Sequence, residues 1–163
     1  MVKVILDLGD DISTDIIYPG RYMATVLPGE TPQYAFADMP IHKSLNAGEI
    51  PPGSIVVAGK NFGCGSSREQ AASCLKGWEL RIVAKGFARI FLQNAVNLGL
   101  DLVICPEIEA QEGDELDIEE REVVNRTHGR RFATTPLPKA RQAIIDAGGL
   151  IRYTRQLLLE EKD

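Results

Sequence analysis

Between Ser54 and Ile104, short apolar runs alternate with amphipathic stretches, and the joins between them are brief. Ile55-Val56-Val57-Ala58, Leu80 to Ala84 and Leu100 to Ile104 read as strands, because short, predominantly apolar runs suit strands covered on both faces. Ala71, Leu75 and Trp78 recur at spacings of four and three, which predicts a helix from about Ser67 to Trp78. Phe87, Ile90, Phe91, Ala95 and Leu98 share one stripe of a second helix over Gly86 to Leu98, with Gly99 as its stop. Strand, helix, strand, helix and strand with short joins require a parallel sheet with crossover helices. An α/β class follows.

The flanks are less regular. Val2 to Leu6 reads as an opening strand and Gly9-Asp10-Asp11 as a polar turn. Ser13 to about Pro52 is rich in Pro, Gly and Tyr, with weak periodicity and at most a short helix around Pro32 to Met39. Irregular segments of that length inside a domain are commonly functional. After Pro106, Leu116 to Ile118, Glu122 to Asn125 and Arg130 to Thr134 predict a β meander packed on the α/β unit, its acidic residues forming a solvated face. Helices are expected over Pro138 to Ala147, stopped by Gly148-Gly149, and over Leu150 to about Leu159.

Composition narrows the function. At 163 residues and 44% hydrophobic content, the chain can bury one core, so a single domain over 1–163 is expected. A formal net charge of −5 argues against a nucleic-acid partner held by overall charge. No apolar run approaches the roughly 20 residues of a membrane span, and Met1 to Leu6 has no signal-peptide pattern, so a cytoplasmic location is expected. Cys64, Cys74 and Cys105 form no CxxC pair and are a poor set for a zinc or iron–sulfur site of the chain's own.

The chemistry concentrates in Lys60-Asn61-Phe62-Gly63-Cys64-Gly65-Ser66-Ser67-Arg68-Glu69. Two glycines free the backbone to turn and to approach a ligand, and the run delivers two hydroxyls and a guanidinium to a helix start. Unpaired N–H groups and the helix dipole there favour an anion. Ser66-Ser67-Arg68-Glu69 also fits a capping box in which Ser66 caps the helix and Glu69 reaches back. That purely structural role leaves Gly-x-Gly unexplained, and it leaves Arg68 in a first turn whose dipole disfavours cations. The P-loop pattern, the Gly-x-Gly-x-x-Gly fingerprint and the Gly-x-Ser-x-Gly elbow are all missing, which narrows the ligand to small anions such as carboxylates. Cys64 reads as a small loop residue or a ligand-contacting thiol. Arg21, Lys60 and His42 read as surface groups, with a site role open for the first two; Arg89 is expected in an ion pair or an interface.

Three ordered runs carry a family resemblance. They are Gly9 to Tyr22, which reads GDDISTDIIYPGRY, then Gly63 to Glu69, and finally Lys85-Gly86-Phe87-Ala88-Arg89-Ile90-Phe91 with Asn94-Ala95-Val96-Asn97-Leu98-Gly99. Together they resemble the small subunit of 3-isopropylmalate dehydratase, the separate-chain counterpart of aconitase's mobile C-terminal swivel domain. The resemblance spans nearly the whole chain. It implies a three-layer β/β/α swivelling domain with a short parallel sheet and an accessory β meander. It also implies a hydro-lyase subunit that is active only with a large subunit, whose [4Fe-4S] cluster this chain does not bind. Ser66 then matches the catalytic base, with Ser67, Arg68, Gly65 and Cys64 around substrate carboxylate and Thr14 and Asp15 in support.

The same resemblance makes Tyr22, Met23, Ala24 and Thr25 a substrate-selectivity loop. Homoaconitase-like small subunits place an arginine third in that series, whereas this chain has Ala24 with apolar Met23, Val26 and Leu27 nearby. An apolar branch such as isopropyl would fit without burying an unpaired charge. The series departs from the Tyr-Leu-Val of isopropylmalate enzymes, so homoaconitate, citramalate and 2,3-dimethylmalate are rival substrates. A non-catalytic carboxylate-binding module is the rival of a different class. Isolated small subunits of this kind also self-associate in some cases, so a homo-oligomer is compatible with the reading.

Overall fold

A computed structural model describes residues 1–162. Its centre is one mixed sheet of seven strands in the order β4-β3-β2-β1-β5-β6-β7. The strands are β1 (Val2–Asp7), β2 (Ile55–Ala58), β3 (Arg81–Ala84), β4 (Asp101–Ile104), β5 (Glu115–Ile118), β6 (Glu122–Asn125) and β7 (Arg130–Ala133). β1 to β4 are parallel; β5 joins β1 antiparallel, and β6 and β7 continue antiparallel. The meander is thus attached edge-on to β1 and does not form a separate sheet.

Strand alternation explains how that single sheet makes layers. Val56, Ala58, Ile82 and Ala84 point to one face and pack with the helices. Ile55, Val57 and Val83 point to the other, where they meet Leu116, Val123 and Phe132 of the meander. The meander therefore covers the face that helices leave open, giving the β/β/α order, and β2 is buried along its whole length. Neither half has a complete core alone.

The helices are α1 (Thr14–Ile17), α2 (Ile41–Asn46), α3 (Glu69–Gly77), α4 (Arg89–Leu98), α5 (Lys139–Asp146) and α6 (Leu150–Glu160). α3 starts two residues later than its periodicity predicts, and α4 three. Gly99 ends α4 in the left-handed region at φ 75°, and an added Cβ there would meet Gly148. Residues 13–52 contain two single helical turns besides α1 and α2, with no helix running from Pro32 to Met39. This excursion is pinned to α3 by Trp78 Nε1 donating to the Pro32 carbonyl at 2.6 Å and by a Thr31–Ser73 hydroxyl contact at 2.8 Å. No helix among the described residues is long and apolar enough to cross a membrane.

Candidate functional site

The site is built where the parallel strands end. Beyond β1, β2 and β3 the chain continues as Gly9–Thr14, Gly59–Ser66 and Lys85–Ala88, and these extensions stay paired. Gly63 N donates to the Ile12 carbonyl and Thr14 N to the Cys64 carbonyl, both at 2.7 Å. Phe62 N and Ala88 N tie the second extension to the third. Carboxyl ends of parallel strands are the usual place for ligands in such sheets. Asp10 and Asp11 are turn residues, as the sequence predicts: Asp10 Oδ1 accepts from Lys60 N and Asp11 Oδ1 from Asn61 Nδ2.

The glycines have distinct tasks. Gly63, at φ 85°, lies so close to Phe91 that a Cβ would sit 2.2 Å from its ring carbon Cγ. Gly65, at φ 103°, has room for a Cβ, whose nearest neighbour would be Thr14 Oγ1 at 3.5 Å. The first glycine lets the loop lie on α4; the second turns it so that Ser66 emerges.

Ser66 is exposed, and its hydroxyl lies 3.1 Å from Thr14 Oγ1. Thr14 Oγ1 also accepts from Ser66 N at 3.2 Å. Either hydroxyl can donate in this contact, and with Thr14 as the donor the bond favours negative charge on the serine oxygen. Thr14 is buried and locked at the start of α1, where Tyr18 N donates to its carbonyl at 2.8 Å.

The capping-box alternative fails here. α3 begins at Glu69 with Arg68 as the preceding cap residue, and no side chain caps it. Ser66 instead spends its contacts on a residue 52 positions away. Arg68 lies one position before the helix and not in its first turn.

Arg68 is held by the opening motif. Its Nη1 donates to Asp15 Oδ1 at 3.0 Å and to the Tyr18 carbonyl at 3.3 Å. Asp15 Oδ1 also accepts from Gly20 N at 2.8 Å, and this bond, with the Arg68 bond second, holds the Asp15 carboxyl below its ordinary range. Arg68 Nε is buried without a partner, and no bond reaches Nη2 among the described residues. The guanidinium therefore keeps one two-donor edge unspent. Ser67 is exposed, and its carbonyl accepts from Asn94 Nδ2 of α4 at 3.3 Å.

Asn61, Cys64, Gly65 and Ser66 border an open cleft of about 750 Å³, with α4 on its other side. Ser67, Arg68 and the segment Tyr22–Thr25 do not line it. The segment belongs to the other flank of the loop, where Gln70 Nε2 of α3 donates to the Met23 carbonyl at 3.1 Å. Tyr18 Oη donates to the carbonyls of Tyr22 and Thr25, and Tyr22 stacks on Tyr34 with ring centres 4.1 Å apart. Met23 and Ala24 are exposed, as are Val26 and Leu27 beyond them.

Other expectations resolve individually. Arg21 is exposed and paired with Asp38, and Lys60 is exposed. His42 departs from its predicted surface role: it is half-buried, with Nδ1 3.2 Å from the Ala35 carbonyl. Of the two roles expected for Arg89, an ion pair or an interface, the ion pair is not formed, since no carboxylate approaches it among the described residues. Sequence reasoning missed Tyr18 and Arg141, which also lines the cleft. Tyr18 lies inside the quoted opening motif, whereas nothing around Arg141 signals a site.

No group of three metal-ligating side chains occurs among the described residues. Cys74 and Cys105 are buried in opposite cores, with burial pushing the Cys105 thiol up to about 11 and Cys74 higher still. Cys64 alone reaches the cleft, so the three thiols cannot share one iron–sulfur cluster.

Known proteins place this arrangement. The model of the aconitase C-terminal domain matches residues 37–105. The 3-isopropylmalate dehydratase small subunit of Methanosarcina mazei is 46% identical over 156 residues, covering 93% of this chain and 94% of that one. Its counterpart from Thermodesulfovibrio yellowstonii is 41% identical over 158 residues, covering 94% and 92%. Among solved structures, a 3-isopropylmalate dehydratase (leuD) from Methanocaldococcus jannaschii superposes with a TM-score of 0.84 at 34% identity, covering 99% of each chain. With the fold and nearly the full length shared, and 46% and 41% identity to two small subunits, the chain belongs to the family of 3-isopropylmalate dehydratase small subunits.

Proposed function

We propose that this chain is the small subunit of a cytoplasmic hydro-lyase that isomerises 2- and 3-isopropylmalate in leucine biosynthesis, paired with a large subunit that carries a [4Fe-4S] cluster. Ser66 is the base. Its alkoxide oxygen takes the proton from the carbon beside a substrate carboxylate, the hydroxyl on the neighbouring carbon gains a proton and leaves as water, and water re-adds in the opposite sense, its hydroxyl to the first carbon and its proton to the second. Serine is a weak base unless its alkoxide is stabilised. The Thr14 hydroxyl, the amides at the start of α3 and the nearby Arg68 supply that stabilisation.

The observation that carries the reading is the state of Arg68. A buried, unpartnered Nε beside an unspent Nη2 matches a carboxylate's two oxygens, while Asp15 fixes the guanidinium from its other end. Ser67, Gly65 and Cys64 flank the same loop and complete the substrate contacts. The two buried cysteines lie in separate cores, which fits a cluster held by the partner and a reducing compartment. The exposed apolar series Met23, Val26 and Leu27 favours a branched aliphatic substituent over a third carboxylate.

Co-expression with a large subunit bearing three cluster cysteines tests this. Turnover of 2-isopropylmalate well above that of homoaconitate, citramalate and 2,3-dimethylmalate is the expected outcome. Ala24→Arg should shift preference toward homoaconitate. A complex that prefers another diacid would reassign the substrate, and an unchanged preference in the Ala24 variant would remove the selectivity role of Tyr22 to Thr25.

A further inference from the structure

Tyr18 makes more contacts than a core residue of an irregular segment needs. Its ring is fully buried, edge-on to the rings of Tyr22 and Tyr34. Thr25 N donates to the Tyr22 carbonyl at 3.0 Å, so Tyr22–Thr25 closes as a single four-residue turn. The Tyr18 hydroxyl proton is shared between the first and last carbonyls of that turn, with Oη···O distances of 2.9 Å to Tyr22 and 3.3 Å to Thr25. Burial raises the phenol above its ordinary range, so the hydroxyl keeps the proton it donates. At its other end, the Tyr18 carbonyl accepts from Arg68 Nη1 at 3.3 Å. One residue therefore spans from the guanidinium to the turn. Met23 and Ala24, at the tip, are exposed while the backbone that carries them is tied down at both ends.

We propose that Tyr18 is a positioning residue for substrate selectivity: it holds the Tyr22–Thr25 turn at a set distance from Arg68 and so decides which substituent fits between them. The inference rests on the reading of Arg68 as the carboxylate holder and of the turn as the selectivity loop. A carboxylate gripped by Arg68 gives the substrate one origin, and a turn held at both ends gives it one boundary. Discrimination by size needs such a boundary, because a loop that yields to every substituent rejects none. Gln70 Nε2 on the Met23 carbonyl and the Tyr22–Tyr34 stack also anchor the turn, but it is Tyr18 that joins it to Arg68. Tyr18 touches no substrate in this scheme and acts through the backbone of the turn.

Tyr18→Phe keeps the ring and removes only the hydroxyl, leaving the Arg68 bond to the Tyr18 carbonyl in place. In the reconstituted two-subunit enzyme, KM for 2-isopropylmalate should rise roughly five- to fiftyfold with kcat within a few-fold of native, the range for losing a buried hydrogen bond. Citramalate, whose methyl group is too short to lean on the turn, should change by less than about threefold, so the preference between the two substrates narrows. Lost stability alone would remove active enzyme and lower both rates together, leaving their ratio where it was. Hydrogen exchange of the isolated chain needs no turnover: the amides of Met23 to Thr25 should exchange about tenfold faster in the variant, and those of α3 no faster. Unchanged exchange would overturn the clamp whatever the kinetics. Faster exchange with an unchanged substrate ratio would overturn the selectivity role of Tyr18, and Ala24→Arg then locates the fault. A shifted preference in the Ala24 variant would reject Tyr18 alone and keep the loop reading; no shift would reject the loop as well.

Discussion

Ser66 shows how far a local pattern can mislead. Its spacing to Glu69 satisfies a capping box, yet Thr14 takes the hydroxyl and the helix begins without a side-chain cap. The winning contact spans 52 residues, and spacing along a chain contains no information about such a partner. The glycine loop is legible in a different way, because Gly-x-Gly advertises unusual backbone geometry without saying which glycine is essential. The structure separates them. Gly63→Ala should cost about 3 kcal/mol, since the methyl would enter the Phe91 ring in a strained conformation. Gly65→Ala faces only the conformational cost and should lose roughly 1 kcal/mol. Urea unfolding of both variants checks the order, and equal losses would contradict the assignment of close approach to Gly63.

At the scale of elements, β2, α3, β3, α4 and β4 all form in the predicted order, with only the starts of α3 and α4 displaced by two and three residues, because burial on both faces and a 3.6-residue stripe leave plain marks. The segment 13–52 leaves no such mark. Ser13 Oγ accepting from Ile16 N, Tyr18 reaching the Tyr22 and Thr25 carbonyls and the Tyr22–Tyr34 stack are single contacts that no period records. Carboxyls held low in the folded state, among them Asp15 in this segment and Asp114 before β5, make the fold acid-sensitive. Asp15 is held below its ordinary 3.8 by Gly20 N and then Arg68. Burial pushes Asp114 up, but bonds from Asn125 and Gln111 N and the nearby His128 outweigh it and hold that carboxyl low as well. For groups depressed in the folded state, the stabilisation is complete above the unfolded value and disappears as pH falls through the folded one. Stability should therefore fall below about pH 4, and Asp15→Asn should flatten part of that fall. A pH-stability curve for the variant parallel to the native one would refute the Asp15 contribution.

For the whole molecule, the sequence predicts a meander packed on an α/β unit, and the structure has the meander hydrogen-bonded along β1 as well as covering the sheet's second face. An edge pairing of this kind is invisible in sequence because the free edge of β1 looks like any other strand. The consequence is a shared core, so the two halves should unfold together. Phe132→Ala, which removes a ring from that core, should cost about 3–5 kcal/mol with a single transition by fluorescence and circular dichroism. Two separated transitions would show that the halves are independent.

The account depends most on the Ser66 oxygen acting as a base, and steady-state kinetics of the Ser66→Ala variant in the reconstituted two-subunit enzyme tests it most directly. A fall in kcat of at least about a hundredfold, with KM for 2-isopropylmalate within a few-fold of native, is predicted for loss of a proton-transfer group that contributes little to binding. Native kcat in a fully assembled variant would contradict it.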